Sequence, residues 1–260
     1  MEPVYLSVKS ILFVALKALG WKVHEFGTEN IPTTGAAVIA SNHVSYLDFI
    51  FVGYGARSRG RYVRFMAKKE IFDHKIAGPL MRGMKHLPVD RFGAPAEAIQ
   101  AGVAALLRGE LVGMFPEGTI SRSFVPRPGK TGSARMAIEA GVPLIPCAVW
   151  GGQRVLTKGR PKDVQRNVAI AVEYGPAVEY AAGEDAGVVT ERLTEAIATL
   201  TDKLQRTYPQ LPASADERWW LPAHLGGTAP TIEEADAMAA RDREVKRARR
   251  AERAGEPTGR

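Results

Sequence analysis

The chain of 260 residues contains a single cysteine, Cys147. One thiol excludes a disulfide framework and a cysteine-built zinc site, and it suits a reducing compartment. Long apolar runs are also missing. The most apolar stretch, Val4 to Trp21, is broken by Lys9 and Lys17, so it falls short of the roughly 20 predominantly apolar residues that a spanning helix needs. No small-residue cleavage site follows it, so it does not read as a signal peptide. Gly-x-Ser-x-Gly is absent, which removes the simplest route to an α/β-hydrolase. Gly129-Lys130-Thr131 lacks the glycine of a phosphate loop five positions upstream, where Phe124 stands. His24, His74, His86 and His224 show no metal-ligand spacing, and no metal is expected.

What remains has globular composition, 45% hydrophobic and 24% charged. This excludes a wholly disordered, collagen-like or polytopic membrane protein. The length suits one large α/β domain or two small ones. The formal charge of +7 is unevenly placed: residues 241–260 hold eight Lys/Arg against four Asp/Glu, which leaves a net +3 for the first 240. A second basic block, Arg57, Arg59, Arg61, Arg64, Lys68 and Lys69, has no acid within it. Both blocks are candidates for an anionic partner.

Residues 1–24 have two readings, an amphipathic helix lying in a membrane interface, with Lys9 and Lys17 on nearly one face, and a helix packed on the domain. Beyond them, short apolar runs alternate with longer helical patterns, the rhythm of βα units around a largely parallel sheet. Strands are expected at 36–40, 62–67, 86–89, 111–115, 143–150 and 168–174, and helices at 46–56, 76–84, 94–107, 131–140 and 188–207. The expected fold is therefore a single α/β domain over 25–211, its central sheet flanked by helices. Residues 212–260 read as an appendage. Pro212, Pro222, Gly226, Gly227 and Pro230 punctuate a loop around Trp219-Trp220, which suits either a bilayer interface or packing on the domain. A charged helix from Ile232 follows, with little apolar stripe to bury, and it is expected to face solvent or a membrane.

Four segments can carry chemistry. Asn42-His43 and Asp48 sit where a strand gives way to a helix, the edge at which α/β folds place active sites. On one regular helix His43 and Asp48 would lie about 140° apart. With His43 in the turn and Asp48 in the first helical turn, the carboxylate can fold back onto the ring. It would then fix the tautomer and leave the other nitrogen to accept a proton from a hydroxyl. Taken alone, the signal is weak, and His43 reads more readily as a structural histidine. Pro88-Val89-Asp90-Arg91 puts an arginine at a strand end, where it can grip a phosphate or simply pair with Asp90. Phe115-Pro116-Glu117-Gly118-Thr119 breaks a strand into a turn that presents Glu117, with amides near Gly118 and Thr119 able to face an anion. Val142-Pro143-Leu144-Ile145-Pro146 reads as core.

In order, content and spacing these four segments resemble the blocks of the glycerolipid acyltransferase family of the 1-acyl-glycerol-3-phosphate acyltransferase type, over about residues 27 to 175. Asn42-His43 with Asp48 is similar to the first block and Pro88-Val89-Asp90-Arg91 to the second. Phe115 to Ser121 with Arg122 is similar to the third, and 142–146 to the fourth. Where the family often has an aromatic or aliphatic residue and Ile before Asp-Arg, this chain has Pro88-Val89.

The resemblance implies transfer of a fatty acyl group from an acyl-CoA or acyl carrier protein thioester to the free hydroxyl of 1-acyl-sn-glycerol-3-phosphate, giving phosphatidic acid. It implies His43 and Asp48 as catalytic residues. Arg91, Glu117, Gly118 and Thr119, with Arg122 and Lys130 as lesser candidates, would hold the acceptor's phosphate. Asn42, Pro116, Pro143 and Pro146 would be structural supports. No cofactor beyond the thioester co-substrate is implied. The implied partners are a membrane surface, the two substrates and, for one donor type, acyl carrier protein, with the protein peripheral on the cytoplasmic side of the cell membrane. The same chemistry on another lysophospholipid or a glycolipid is the alternative. A more distant one, a non-enzymatic protein holding nucleic acid on the basic blocks, explains the charge but not the four segments. Only Tyr62 and Phe65 interleave the first block, a poor stacking pattern.

Overall fold

In a computed structural model of the chain, residues 3–90 and 95–255 are described. Helix α1 (Pro3–Leu19) leads into strand β1 (Lys22–Phe26), then β2 (Ala37–Ser41), α2 (Asp48–Ala56), β3 (Val63–Lys68), the single turn α3 (Lys69–Phe72), α4 (Ala77–Gly83) and β4 (Leu87–Val89). There follow α5 (Pro95–Leu107), β5 (Leu111–Met114), α6 (Gly132–Ala140), β6 (Leu144–Trp150), β7 (Ala169–Tyr174), α7 (Ala186–Arg206) and α8 (Ile232–Gly255). The seven strands form one sheet in the order β1-β7-β6-β2-β5-β3-β4, with only the β6–β7 pair antiparallel. This is the expected α/β fold.

The central strands explain the layering. Every residue of β2, β6 and β7 is buried, as expected for strands covered on both faces. One face is filled from α1 and α2 by Leu16, Phe51, Val52 and Ala56 against Ile39, Ile145 and Val149. The other is covered by α5, α6 and α7, whose Val103, Ala137, Val189 and Leu193 meet Val38, Ala40 and Leu144. Helix α7 begins at Asp185, whose carboxylate accepts from the amides of Gly187 and Val188 at 2.9 and 3.1 Å, a side-chain N-cap.

Two segments differ from the expectation drawn from sequence. Strand β1 was not expected; it is an edge strand whose alternate residues are half-buried, paired with β7. The 212–260 region is not a detached appendage. Trp220 is buried, 1% exposed, in a cluster with Phe124, Trp150, Leu204 and Tyr208, and the Arg154 guanidinium lies 4.8 Å from its ring centroid. Trp219 is covered by Arg160 and faces Phe124. Both tryptophans pack on the domain. Helix α8 then lies against the domain on Ala235 and Ala239. A two-alanine stripe is too weak a pattern to be seen among its charges.

The first basic block is likewise different in role. Arg59 donates to the Ile31 carbonyl, Arg61 to those of Pro32, Gly35 and Gly109, and Arg64 to that of Met84, while Arg57 pairs with Glu25. Four of its six cations thus tie loops to the sheet.

If residues 212–231 are part of the folded unit, Trp220→Ala costs about 3–5 kcal/mol of stability, read as a lowered urea midpoint. A change within about 0.5 kcal/mol would show that the segment is an independent appendage.

Candidate active site

Strand order builds the site. Ala40 of β2 pairs with Met114 of β5, and Ser41 pairs with Cys147 of β6, so the chain leaves β2 between two neighbours running the same way. The segments after β2 and β5 therefore emerge side by side at the carboxyl edge of the sheet, where open α/β folds bind their ligands.

Asn42 makes the exit rigid. Its side-chain amide donates to the Val149 carbonyl at 3.0 Å and accepts from the Val149 amide at 2.8 Å. A carboxamide carries a donor and an acceptor in the arrangement of a peptide group, so this side chain adds a further rung beyond the Ser41–Cys147 pair. Next, the His43 amide donates to Glu117 Oε1 at 3.0 Å, and its carbonyl accepts from the Ser121 amide at 2.8 Å. His43 is thus held at both ends of its peptide by the segment that follows β5.

Asp48, the first residue of α2, folds back as expected. Its Oδ2 accepts from the amides of Val44 and Ser45, each at 2.7 Å, and lies 2.9 Å from His43 Nδ1. Burial pushes the Asp48 carboxyl above its ordinary value, and the hydrogen bonds from His43, Ser45 and Val44 oppose that shift. Three donors converging on one oxygen leave no place there for a proton. The helix N-terminus adds further stabilisation of the anion. Nδ1 then carries the imidazole proton and Nε2 the lone pair. The ring stacks on Phe115, with centroids 4.2 Å apart and an 18° tilt, and Phe115 in turn stacks on Phe65 at 6.0 Å.

Glu117 sits on a tight turn closed by a hydrogen bond from the Gly118 amide to the Phe115 carbonyl at 3.0 Å. Pro116 takes the second position and Gly118, at φ +67°, the fourth, the places at which proline and glycine suit such a turn. The Glu117 carboxyl is pushed up to about 8, chiefly by burial, against the bond from the His43 amide and the nearby Arg127 charge. Lys130 reaches the same turn: its amide donates to the Pro116 carbonyl at 2.9 Å, and its side chain lies over Gly118. Thr119 follows, half-buried.

The other expected site residues differ in their surroundings. Arg122, expected at a substrate phosphate, is paired at 3.2 Å with Asp242 of α8. Pro143 directly precedes β6 at the edge of the sheet away from the site, where its carbonyl accepts from the Val38 amide, whereas Pro146 lies within β6 opposite Ala40 and its carbonyl accepts from the Gly175 amide; the place of both is structural. Arg91 lies outside the described residues, although β4 carries the chain to Val89 at the same edge, two strands beyond β5. Phe115, Arg127 and Lys158 sit beside the site without having been singled out for a role. Phe115 could have been found from its place directly before the turn; the other two lie in loops with no repeating pattern. Among the described residues no cluster of His, Cys, Asp and Glu is arranged to hold a metal.

Residues 22–150 match the family model described as Acyltransferase. The chain is 30% identical over 187 residues to the 1-acyl-sn-glycerol-3-phosphate acyltransferase of Bacillus subtilis, covering 71% of this chain and 90% of that protein. The chain belongs to the glycerolipid acyltransferase family of that type. It is also 30% identical to the chloroplastic 1-acyl-sn-glycerol-3-phosphate acyltransferase BAT2 of Brassica napus, of which it spans 38%. In fold it is similar to the crystal structure of the 1-acyl-sn-glycerophosphate acyltransferase PlsC from Thermotoga maritima, with a TM-score of 0.60 at 22% identity, covering 75% of this chain and 77% of that one.

The raised Glu117 value gives acyltransferase stability a pH dependence of definite sign. Between the ordinary 4.5 and about 8 the folded chain holds a proton on Glu117 that the unfolded chain has lost. Stability from this group is complete below about 4.5 and is lost as pH rises, by about 1.4 kcal/mol per pH unit across the window. Glu117→Gln keeps the acceptor for the His43 amide and removes the titration. Its urea midpoint should gain on wild type steadily from pH 5 to pH 8; parallel profiles would show that Glu117 titrates normally.

Proposed function

We propose that the enzyme moves a fatty acyl group from an acyl thioester, of coenzyme A or of acyl carrier protein, to the free hydroxyl of 1-acyl-sn-glycerol-3-phosphate, giving phosphatidic acid. The observation that carries this reading is the His43–Asp48 pair, held in a turn that Glu117 and Asn42 fix from two neighbouring strands. The names of the relatives in Bacillus subtilis and Brassica napus supply the acceptor.

In the proposed reaction Nε2 of His43 takes the proton of the acceptor hydroxyl as its oxygen attacks the thioester carbonyl. Asp48 stabilises the imidazolium, and the imidazolium returns the proton to the departing thiolate. Transfer is direct, without an acyl-enzyme. Cys147 is fully buried and burial pushes its thiol well above the ordinary range, so it supplies no thiolate. The Ser45 hydroxyl donates to the Leu156 carbonyl at 2.7 Å and accepts from the Leu47 amide. The candidates to hold the acceptor's phosphate are the Glu117-Gly118-Thr119 turn and Lys130 over it, with Arg91 and Arg122 as the resemblance implies.

The partner surface proposed is a lipid bilayer, met from the cytoplasmic side. Helix α1 packs on the domain by Leu12 and Leu16, while Ile11, Phe13 and Val14 are more than half exposed beside Lys9 and Lys17. Ile76 and Leu80 are exposed at the neighbouring α4. The two sequence readings of this helix are thus compatible: one face belongs to the core and the other is free for an interface. No described helix is long and apolar enough to cross a membrane.

Two measurements test this. Purified enzyme with long-chain acyl-CoA should release thiol only when 1-acyl-glycerol-3-phosphate is present, and His43→Ala should lower the rate by about 10²- to 10⁴-fold with the fold intact. No acceptor-dependent release from either thioester would end the proposal, whereas release with another lysolipid alone would move it to that acceptor. For the bilayer, replacing Ile11, Phe13 and Val14 together by serine should reduce flotation with vesicles containing anionic lipid and leave the melting temperature unchanged. Undiminished flotation would exclude α1 as the contact.

A further inference from the structure

Helix α8 lies beyond the residues matched by the family model, yet it reaches the cations beside the site. Asp242 Oδ2 lies 2.7 Å from Lys158 Nζ and 3.2 Å from Arg122 Nη1, and one turn and a half earlier Asp236 pairs with Arg127. The two cations on Asp242 come from the two segments that clasp the catalytic turn. Arg122 follows Ser121, whose amide binds the His43 carbonyl. Lys158 follows Thr157, whose hydroxyl donates to the Val44 carbonyl at 2.7 Å. Gly159 gives the guanidinium its room, since a Cβ there would come within 3.2 Å of Arg122 Nε. Both cationic side chains are only 20% exposed, so they are largely withdrawn from water and face one carboxylate.

We propose that Arg122 and Lys158 form an anion subsite for a phosphate monoester, which Asp242 fills in the resting enzyme, and that α8 is a clasp displaced when that phosphate binds. The inference deepens the acyltransferase reading and rests on it for the identity of the ligand. A carboxylate and a phosphate make the same kind of charge-assisted bonds to a guanidinium and an ammonium, and the phosphate brings more charge and a third oxygen. The clasp is held weakly enough to open. Ala235 and Ala239 are the only buried side chains among those described in α8, Met238 and Val245 are exposed, and Arg241, Arg243 and Arg247 point to solvent. Charge pairs therefore hold most of it, and competition by an anion acts on what holds it. Closure lowers the apparent affinity for the phosphate by the fraction of molecules that are open.

The phosphate has two possible sources, the acyl acceptor and the 3′-phosphate of coenzyme A. Hydrogen–deuterium exchange of wild-type enzyme, at constant ionic strength, is followed with saturating glycerol 3-phosphate or with saturating coenzyme A. Amides of residues 232–245 should exchange faster with one of them, and that one identifies the substrate whose phosphate takes the subsite. In parallel, Asp242→Asn should bind the same probe about three- to tenfold more tightly than wild type, the scale of losing its ion pairs with two partly exposed cations. Unchanged exchange with both probes would overturn the proposal, and so would equal or weaker binding by a folded Asp242→Asn. The wild-type exchange experiment needs no variant and decides the matter if Asp242→Asn fails to fold. Neither readout uses an acyl thioester. A chain that transfers no acyl group but frees α8 on binding phosphate would therefore refute the reaction and leave the subsite standing.

Discussion

The site depends on one oxygen. Asp48 Oδ2 receives two backbone amides and an imidazole nitrogen on a carboxylate with no exposed surface. An isolated carboxylate in such a place would be neutralised or expelled, because burial of an unpaired charge is costly. Conversely, the Val44 and Ser45 amides would be left without a partner if the carboxylate moved away, at about 1–3 kcal/mol for each orphaned group. Neither side can relax alone, so the turn, the helix start and the ring adopt one arrangement together. The His43 tautomer follows from that arrangement.

That oxygen is effective only because the sheet places β5 and β6 on either side of β2. From β5 comes Glu117, which fixes the His43 amide, and from β6 comes the Val149 peptide, which fixes Asn42. Glu117 is a costly choice for the first of these tasks, since it is buried and its second oxygen, Oε2, has no hydrogen-bond partner. Holding a proton at neutral pH removes most of that cost and also keeps a second negative charge away from Asp48. Burial raises both carboxyl groups near the ring, and they differ in what opposes it: three donors on one oxygen at Asp48, and the bond from the His43 amide with the nearby Arg127 charge at Glu117.

The elements of the fold were legible where periodicity carries the signal. The buried runs at 111–115 and 143–150 and the helical patterns at 94–107 and 188–207 became β5, β6, α5 and α7 with ends shifted by one or two residues. The motif residues His43, Asp48, Glu117 and Lys130 were also legible, and the structure brings all four to one edge of the sheet. What was not legible involves partners without a side-chain pattern. Arg59, Arg61 and Arg64 look like an anion-binding surface because sequence does not display the backbone carbonyls that take them up. Strand β1 has only five residues, alternating in exposure at a sheet edge, and follows a helix whose apolar pattern runs up to Trp21. The docking of α8 turns on Asp242 meeting Arg122 and Lys158, more than eighty residues away, a relation that no local period can encode.

The same constraints argue for a ternary complex. A ping-pong route needs a nucleophile beside His43 that is free to take the acyl group. Ser45, two residues along, is committed through both donor and acceptor to the Leu156 carbonyl and the Leu47 amide, and Cys147 is sealed within β6. With its Nδ1 bound to Asp48 and one ring face covered by Phe115, His43 offers Nε2 as the site of proton exchange. One nitrogen serving first as base and then as acid must meet the acceptor oxygen and the leaving sulfur in turn without moving. In the proposed reaction the hydroxyl and the thioester therefore occupy the site together, close enough for the proton taken from one to be returned to the other.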